Sequence, residues 1–306
     1  MLLGVDLGGT KIEALVMSSC GEEVLRRRVK TPRGAYQETV EAIRDLVASV
    51  EAEAGARAEV IGVGIPGSVS PITGLVRNGN TTWINGKAFD RDLAETIGRP
   101  VVVENDGNCL ALSEALDGAA AGARSVVAII LGTGFGGGIV IDGSIVSGAN
   151  GIGGEIGHFP HPLARDDAGN SDICWCGRES CNETYLTGPA LIREYGRLKG
   201  KQPEPDCDVH EIWRRAEAGE ADAKAVLAQH LERLARTIGL LVNVVDPETF
   251  VLGGGVSNMP HIARDLPAKV APHVFADPAD RTEIKVVRAM HGDSSGVRGA
   301  ARLVPK

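Results

Sequence analysis

Three cysteines, Cys174, Cys176 and Cys181, fall within eight positions, and His158 lies a short way upstream. Such a cluster can be a disulfide knot, a metal site or a reactive thiol. Met1 runs directly into Leu2-Leu3-Gly4-Val5, with no basic n-region and no small-residue cleavage site, so a cytoplasmic, reducing setting is expected. In that setting closely spaced cysteines more often hold metal than form disulfides. One imidazole and three thiolates close a tetrahedral shell and leave no position for water, which is the chemistry of a structural zinc ion. A reactive thiol would not need two neighbours so close. Cys20, Cys109 and Cys207 stand alone and are expected to be packed or surface thiols.

Three glycine-rich turns, in "DLGGTK", "LGTGFGGG" and "VLGGGVSN", each follow an apolar run. A glycine turn at a strand end lets backbone N–H groups converge on an anion, and phosphate is the usual guest. None of the three ends in the Gly-Lys-Ser/Thr of a P-loop, and the first two lead into another strand where a dinucleotide fingerprint would open a helix. One such turn alone reads as a tight hairpin; three together, two in a repeated setting, point to phosphate. Asp106 closes the apolar run "PVVVEND". A carboxylate at a strand end can serve as a general base or can cap the helix that follows, and the residues alone leave both open.

The elements that must hold these groups follow from periodicity. Residues 2–30 read as a meander of three strands, "LLGVDLG", "KIEALVMSS" and "EEVLRRRVK". Residues 36–54 carry Val40, Ile43, Leu46, Val47 and Val50 on one helical face. "EVIGVGIPG" and "RPVVVENDG" read as buried strands separated by a short helix, "FDRDLAETIG", and 107–122 reads as a small-residue helix at a domain boundary. "SVVAIILGTGFGGGIVIDGSIVSG" then repeats the opening strand, glycine turn, strand pattern in outline, which suggests two related halves. A long helix over 220–245 buries Leu227, Leu231, Leu234, Ile238 and Leu241 and stops at Asp246-Pro247. "TFVLGGGVSN" follows as strand plus turn, and "GDSSGVRGAARLV" as a turn entering a helix.

The 306 residues, 43% hydrophobic and 24% charged, suffice for two domains of ordinary size. A net charge of −8 with scattered Lys and Arg argues against a nucleic-acid surface. No uninterrupted apolar run reaches the roughly 20 residues of a membrane span.

Taken together, "VDLGGTKIE", "GVGIPGSVSP", "VENDGNCLALSEA", "ILGTGFGGGIV", "GGEIGH", "CWCGRESCNE", "VLGGGVSN" and "HGDSSGVRGAA" resemble the ROK family of bacterial sugar kinases and sugar-responsive repressors. The resemblance runs from residue 3 almost to the end. Through "TPRGAYQETVEAI" and "NGNTTWINGKAFDRDL" it is strongest to fructokinases and manno(fructo)kinases. It implies an α/β, actin-like (hexokinase-like, ribonuclease H-like) two-domain ATPase fold with a central cleft. The small domain would be 1–117 completed by a helix at about 293–306, and the large domain 118–292 would contain the zinc loop. The implied activity is ATP-dependent phosphorylation of the 6-hydroxyl of fructose, with mannose or glucose as further substrates and N-acetylglucosamine as the alternative. ATP, Mg²⁺ and a structural Zn²⁺ are the implied cofactors, and a homodimer the implied assembly.

The same resemblance distributes roles. Asn105 and Asp106 contact the sugar, Asp106 taking the hydroxyl proton; many relatives read Asn-Asp-Ala where this chain has Gly107. Asp6 holds Mg²⁺ through water, and Gly8, Gly9, Thr10 and Lys11 face the phosphates, Lys11 alone reading equally as a solvated lysine. Gly132, Thr133, Gly134 and Gly136 form a second phosphate turn, and Gly254 and Gly255 line the adenosine pocket. His158, fixed as one tautomer by zinc on its other nitrogen, donates to a sugar hydroxyl. Glu155 and Glu183 accept from sugar hydroxyls, and Gly67 and Asn80 complete the pocket. The zinc set is His158, Cys174, Cys176 and Cys181, with Ser180 where relatives usually have glycine and with His161 outside the motif. A repressor would carry a helix-turn-helix ahead of the first glycine turn, whereas five residues precede Asp6; a silent sugar sensor would lack Asp106. Actin-like ATPases that remodel proteins would lack the zinc loop.

Overall fold

The computed structural model describes residues 1–163, 173–202, 207–277 and 283–303. The chain divides into two units: Met1–Gly122, Gly138–Gly154 and Met290 onward form the first, Ala123–Gly137 and Glu155–Ala289 the second.

In the first unit the expected meander forms as β1 (Leu2–Leu7), β2 (Lys11–Met17) and β3 (Glu23–Lys30), followed by α1 (Tyr36–Ala54). Then come β4 (Ile61–Ile65), a small hairpin of β5 (Ser68–Val69) and β6 (Val76–Arg77), α2 (Phe89–Ile97), β7 (Val101–Asn105) and α3 (Asp106–Leu116). The sheet order is β3-β2-β1-β4-β7, with β1 antiparallel to β2 and parallel to β4, and β4 parallel to β7. Strand alternation sorts the side chains into two faces. Leu3, Val5 and Leu7, Ile12, Ala14 and Val16, and Ile61, Val63 and Ile65 share one buried core with Val40, Ile43, Leu46, Val47 and Val50 of α1.

The opposite face carries Gly4, Asp6, Glu13, Leu15, Met17, Gly62 and Gly64. It is covered by α9 (Ser295–Ala301), which also packs on α3. A Cβ at Gly62 would stand 1.7 Å from the Ala300 carbonyl oxygen, and one at Gly4 2.2 Å from that of Val297, so α9 lies directly on the backbone of β1 and β4. Register sets Asp6 opposite Glu13 and beside Gly64, and Gly64 beside Glu104. Below this row the buried carboxylate of Glu114 accepts from the amides of Ala119 (2.8 Å), Met290 (3.0 Å) and His291 (3.1 Å) and from the Ser295 hydroxyl (2.8 Å), tying the end of α3 to the entry of α9.

The second glycine turn lies between β8 (Ser125–Leu131) and β9 (Phe135–Ile141), and β10 (Ser144–Ile145) pairs back on β9. Residues 138–154 group with the first unit, although the sequence expectation placed them in a 118–292 domain. The reason is local: the Ser147 hydroxyl donates to Glu104 at 3.2 Å, the Arg77 guanidinium to the Asn150 carbonyl, and Gly151 packs on Pro71 and Val69. The second unit continues with α4 (Asn182–Leu186), α5 (Gly188–Leu198), α6 (Val209–Glu217), α7 (Ala221–Val245), β11 (Thr249–Gly253), α8 (Pro260–Val270) and β12 (Val286–Arg288). The sheet order there is β10-β9-β8-β11-β12, with β11 parallel to β8 and β12. Helix α7 buries the five residues expected of it against α4, α5, α6 and α8 and ends where Asp246 turns left-handed at φ +45° before Pro247. Among the described residues no helix is long and apolar enough to cross a membrane.

Candidate active site

In the first unit helix α3 begins at Asp106, and Asn105 caps it, its Oδ1 accepting from the amides of Gly107 (2.8 Å) and Asn108 (3.2 Å). Asp106 sits in the first turn, where the helix dipole favours a carboxylate, and its Oδ1 also accepts the Gly107 amide at 2.8 Å. Asn105 is also committed through Nδ2, which donates to the Gly67 carbonyl at 3.1 Å and so joins two residues expected to meet the sugar. Gly67 has φ +85°, and a Cβ there would stand 2.4 Å from the Arg77 carbonyl. Asn80 is exposed; its predecessor Gly79 is clamped by Asn85, which accepts from the Gly79 amide (3.0 Å) and donates to its carbonyl (2.8 Å).

Asp6 and Asp106, a hundred residues apart in sequence, are electrostatic neighbours. Burial pushes the Asp6 carboxyl up to about 7, with further upward contributions from Asp106 and Glu13 and an opposing one from Lys11. A carboxyl in that state gains from a divalent cation, so the donor set fits Mg²⁺. The turn beside it is closed by the Gly8 amide donating to the Lys11 carbonyl (2.9 Å) and is propped by Thr31, whose hydroxyl donates to the Gly8 carbonyl (2.8 Å). Lys11 Nζ lies 3.8 Å from the buried Glu13. No atom lies within 4 Å of where a Cβ at Gly9 would be; Thr10 is exposed.

The second unit holds the other turn. The Gly132 amide donates to the Gly134 carbonyl (3.0 Å), and the Gly188 amide at the start of α5 donates to the Gly132 carbonyl (2.9 Å). Glu183, on α4, accepts the Phe135 amide at 2.8 Å. Cβ positions at Gly136 and Gly255 are also open to 4 Å, whereas one at Gly254, with φ +83°, would stand 2.4 Å from the Leu131 carbonyl. Within the second unit, Gly136 and Gly255 thus leave the backbone uncovered by side chains.

His158 ends a single 3₁₀ turn that starts after the half-buried Glu155. Its Nδ1 lies 3.7 Å from Cys174 Sγ, Cys176 Sγ lies 3.6 Å from Cys181 Sγ, and all four donor atoms fall within 4.8 Å of one another. A tetrahedral zinc ion would set such S···S and N···S separations at about 3.8 and 3.5 Å. Burial and the adjoining thiols push the Cys181 thiol up to about 12, whereas, against burial, backbone and thiol hydrogen bonds hold that of Cys176 below its ordinary value; the close-set soft donors fit a zinc ion. Ser180 holds the loop at φ +58°, a region that favours glycine. His161 is occupied elsewhere: it accepts from the Leu163 amide (3.1 Å), approaches the Arg233 carbonyl (3.3 Å) and stacks on Tyr185. Residues 164–172 of the His158–Cys181 segment lie outside the described residues.

Several supporting residues escaped the sequence reading: Thr31, Asn85, Glu104, Trp175 and Asn182. Asn182, fully buried, donates to the Ile156 carbonyl (2.9 Å) and accepts from Thr237 of α7 (3.2 Å), fixing the His158 turn to the long helix. Thr31, Glu104 and Asn182 act through contacts distant in sequence. Glu104, Trp175 and Asn182 lay beside motif residues, the one local signal that could have found them.

The family model for ROK matches residues 2–306. The chain belongs to the ROK family. Curated relatives at 36–39% identity over the full length are N-acetyl-D-glucosamine kinases, among them that of Pasteurella multocida, 39% identical over 308 residues covering 99% of each chain. Among solved structures the ROK hexokinase of Thermus thermophilus superposes with a TM-score of 0.83 at 33% identity, covering 98% of this chain and 96% of that one. The ROK glucokinase of Streptomyces griseus, solved with glucose and AMPPNP, gives 0.79 at 28%, covering 99% and 98%. The ROK fold is thus the actin-like, hexokinase-like α/β fold expected.

The fructose assignment is corrected: these curated ROK relatives act on N-acetyl-D-glucosamine. The segment that suggested fructose, "TTWING", is scaffold. Trp83 packs on the first-unit core and its Nε1 donates to Thr39 (3.1 Å), while Asn85 is spent on Gly79. Trp83 and Asn85 are thus engaged by the protein itself.

Proposed function

We propose that this chain transfers the γ-phosphoryl group of ATP to the 6-hydroxyl of N-acetyl-D-glucosamine. The observation that carries the proposal is the full-length identity of 36–39% to kinases of that sugar, on a chain that keeps Asp106 at the head of α3.

Asp106 accepts the hydroxyl proton as the sugar oxygen attacks the γ-phosphorus; the bond from γ-phosphorus to the bridging oxygen breaks, ADP leaves and the proton passes to solvent. The cap geometry of Asn105 holds Asp106 at the head of α3, so the base is positioned before substrate arrives. In the same unit Gly67 and Asn80 belong to the sugar site, and Asp6, Gly8, Gly9, Thr10 and Lys11 to the phosphates. In the second unit Gly132, Thr133, Gly134 and Gly136 present amides to phosphate and Gly254 and Gly255 border the adenosine. There Glu155, His158 and Glu183 serve sugar hydroxyls. Asp6 would hold Mg²⁺, which supplies charge neutralisation on the phosphates. His158, Cys174, Cys176 and Cys181 would hold a structural Zn²⁺, and with Nδ1 turned to the metal, His158 Nε2 carries the hydrogen it donates to the sugar.

The test is ADP release with Mg-ATP against N-acetylglucosamine, glucose, mannose and fructose, read as kcat/KM ratios. N-acetylglucosamine should exceed fructose by about a hundredfold or more, the discrimination expected when buried polar groups are left unpaired by the wrong sugar. A ratio near one, or inverted, sinks the substrate assignment while leaving the kinase chemistry in place.

A further inference from the structure

Trp175 stands between the first two cysteines of the cluster and is not among the groups assigned a role above. It is 54% exposed, unusual for the largest side chain. Its ring meets that of His158 edge-on, with centroids 5.0 Å apart at 85°. Its Nε1 donates to Glu183 Oε1 at 3.2 Å. The other oxygen of the same carboxylate, Oε2, accepts the Phe135 amide at 2.8 Å, directly after Gly132-Thr133-Gly134. One carboxylate is therefore gripped from two sides, by the indole of the cysteine loop and by the backbone of the glycine turn. Each oxygen keeps a further lone pair, so the grip orients the group without exhausting it.

A half-buried glutamate on a helix still samples more than one rotamer unless it is held, and receiving a sugar would then cost the entropy of fixing one. Two donors on separate elements remove that cost in advance. The aromatic edge against His158 does the same for the imidazole plane, because an edge-to-face contact is directional. Two of the three second-unit side chains expected at the sugar, His158 and Glu183, thus touch Trp175.

We infer that Trp175 is a positioning residue for the sugar site: its indole N–H, together with the Phe135 amide, fixes the Glu183 carboxylate in the orientation that receives sugar hydroxyls. The inference rests on the sugar-kinase reading of Glu183 and His158.

Trp175→Phe keeps an aromatic ring but removes the N–H together with the pyrrole half of the indole. Losing a partly exposed hydrogen bond to a carboxylate corresponds to about a five- to tenfold weakening. N-acetylglucosamine Kd by calorimetry, and its KM, should rise by that factor, with the effect on KM larger than on kcat and zinc content equal to that of the parent protein. Trp175→Ala should weaken binding further, since the contact with His158 goes too. Intrinsic fluorescence gives a readout free of turnover: a change in emission on adding N-acetylglucosamine should persist in Trp83→Phe and vanish in Trp175→Phe.

Unchanged sugar affinity in Trp175→Phe overturns the inference. So does loss of zinc in parallel with affinity, which would mean that Trp175 acts through the metal loop. If the parent protein prefers another hexose, the substrate assignment fails and the same comparison with that hexose decides Trp175 separately. A parent protein that binds none of the four hexoses overturns both.

Discussion

The two glycine turns at strand ends solve one problem in different ways. The turn at Gly8–Lys11 closes on itself through the Gly8 amide and Lys11 carbonyl, with Thr31 of the adjoining strand connection as its prop. The turn at Gly132–Gly136 also has one internal bond, but its flanks are held from α4 and α5, through Glu183 and the Gly188 amide. The first turn is a local structure; the second depends on a cysteine loop and two helices that come some fifty residues later. A self-closed turn tolerates change around it, whereas a turn held from outside transmits that change.

Asp106→Asn should have the largest effect, because it removes the proposed base and leaves both turns standing. Turnover should fall by about 10²- to 10⁴-fold with sugar and ATP binding still measurable by calorimetry. Near-normal turnover would assign the proton to another group.

Cys176→Ser tests the dependence of the second turn on its supports. The parent protein should carry about one zinc per chain and the variant none, by atomic absorption. With the loop loosened around Glu183, sugar affinity should fall by about ten- to a hundredfold, the range seen when groups around a metal site are lost. A metal-free parent protein of full activity would remove the zinc from this account.

Thr31→Val should matter least. It deletes one side-chain hydrogen bond, worth about 0.5–1.5 kcal/mol, from a turn that still closes through its backbone. The KM for ATP should rise by less than about tenfold, with sugar affinity unchanged. If Thr31→Val proved as damaging as Cys176→Ser, the contrast between the turns would collapse.

Much of the fold was legible because it is written in local periodicity. The span 36–54 and the five-residue face of α7 follow from apolar spacing alone, and Asp246-Pro247 marked the stop. The cysteine cluster was legible for the same reason, its ligands being close in sequence. What stayed hidden lies in pairings that no period encodes. That Asn105 folds back onto Gly107 and Asn108 beside Asp106 depends on where β7 ends. The allegiance of 138–154 turned on side chains from three separate segments. "TTWING" misled because a tryptophan and an asparagine look the same whether they meet a ligand or, as here, meet Thr39 and Gly79.

The placement of α9 also sets an order of events on the ribosome. Its glycine-lined berth on β1 and β4 precedes the second unit in the chain, and α9 follows it. Until α9 emerges, Leu15 and Met17 lack the Val297 and Ala301 they pack against. Any sheet that formed on the nascent chain before then would stay uncovered on that face until the seven-residue helix arrived.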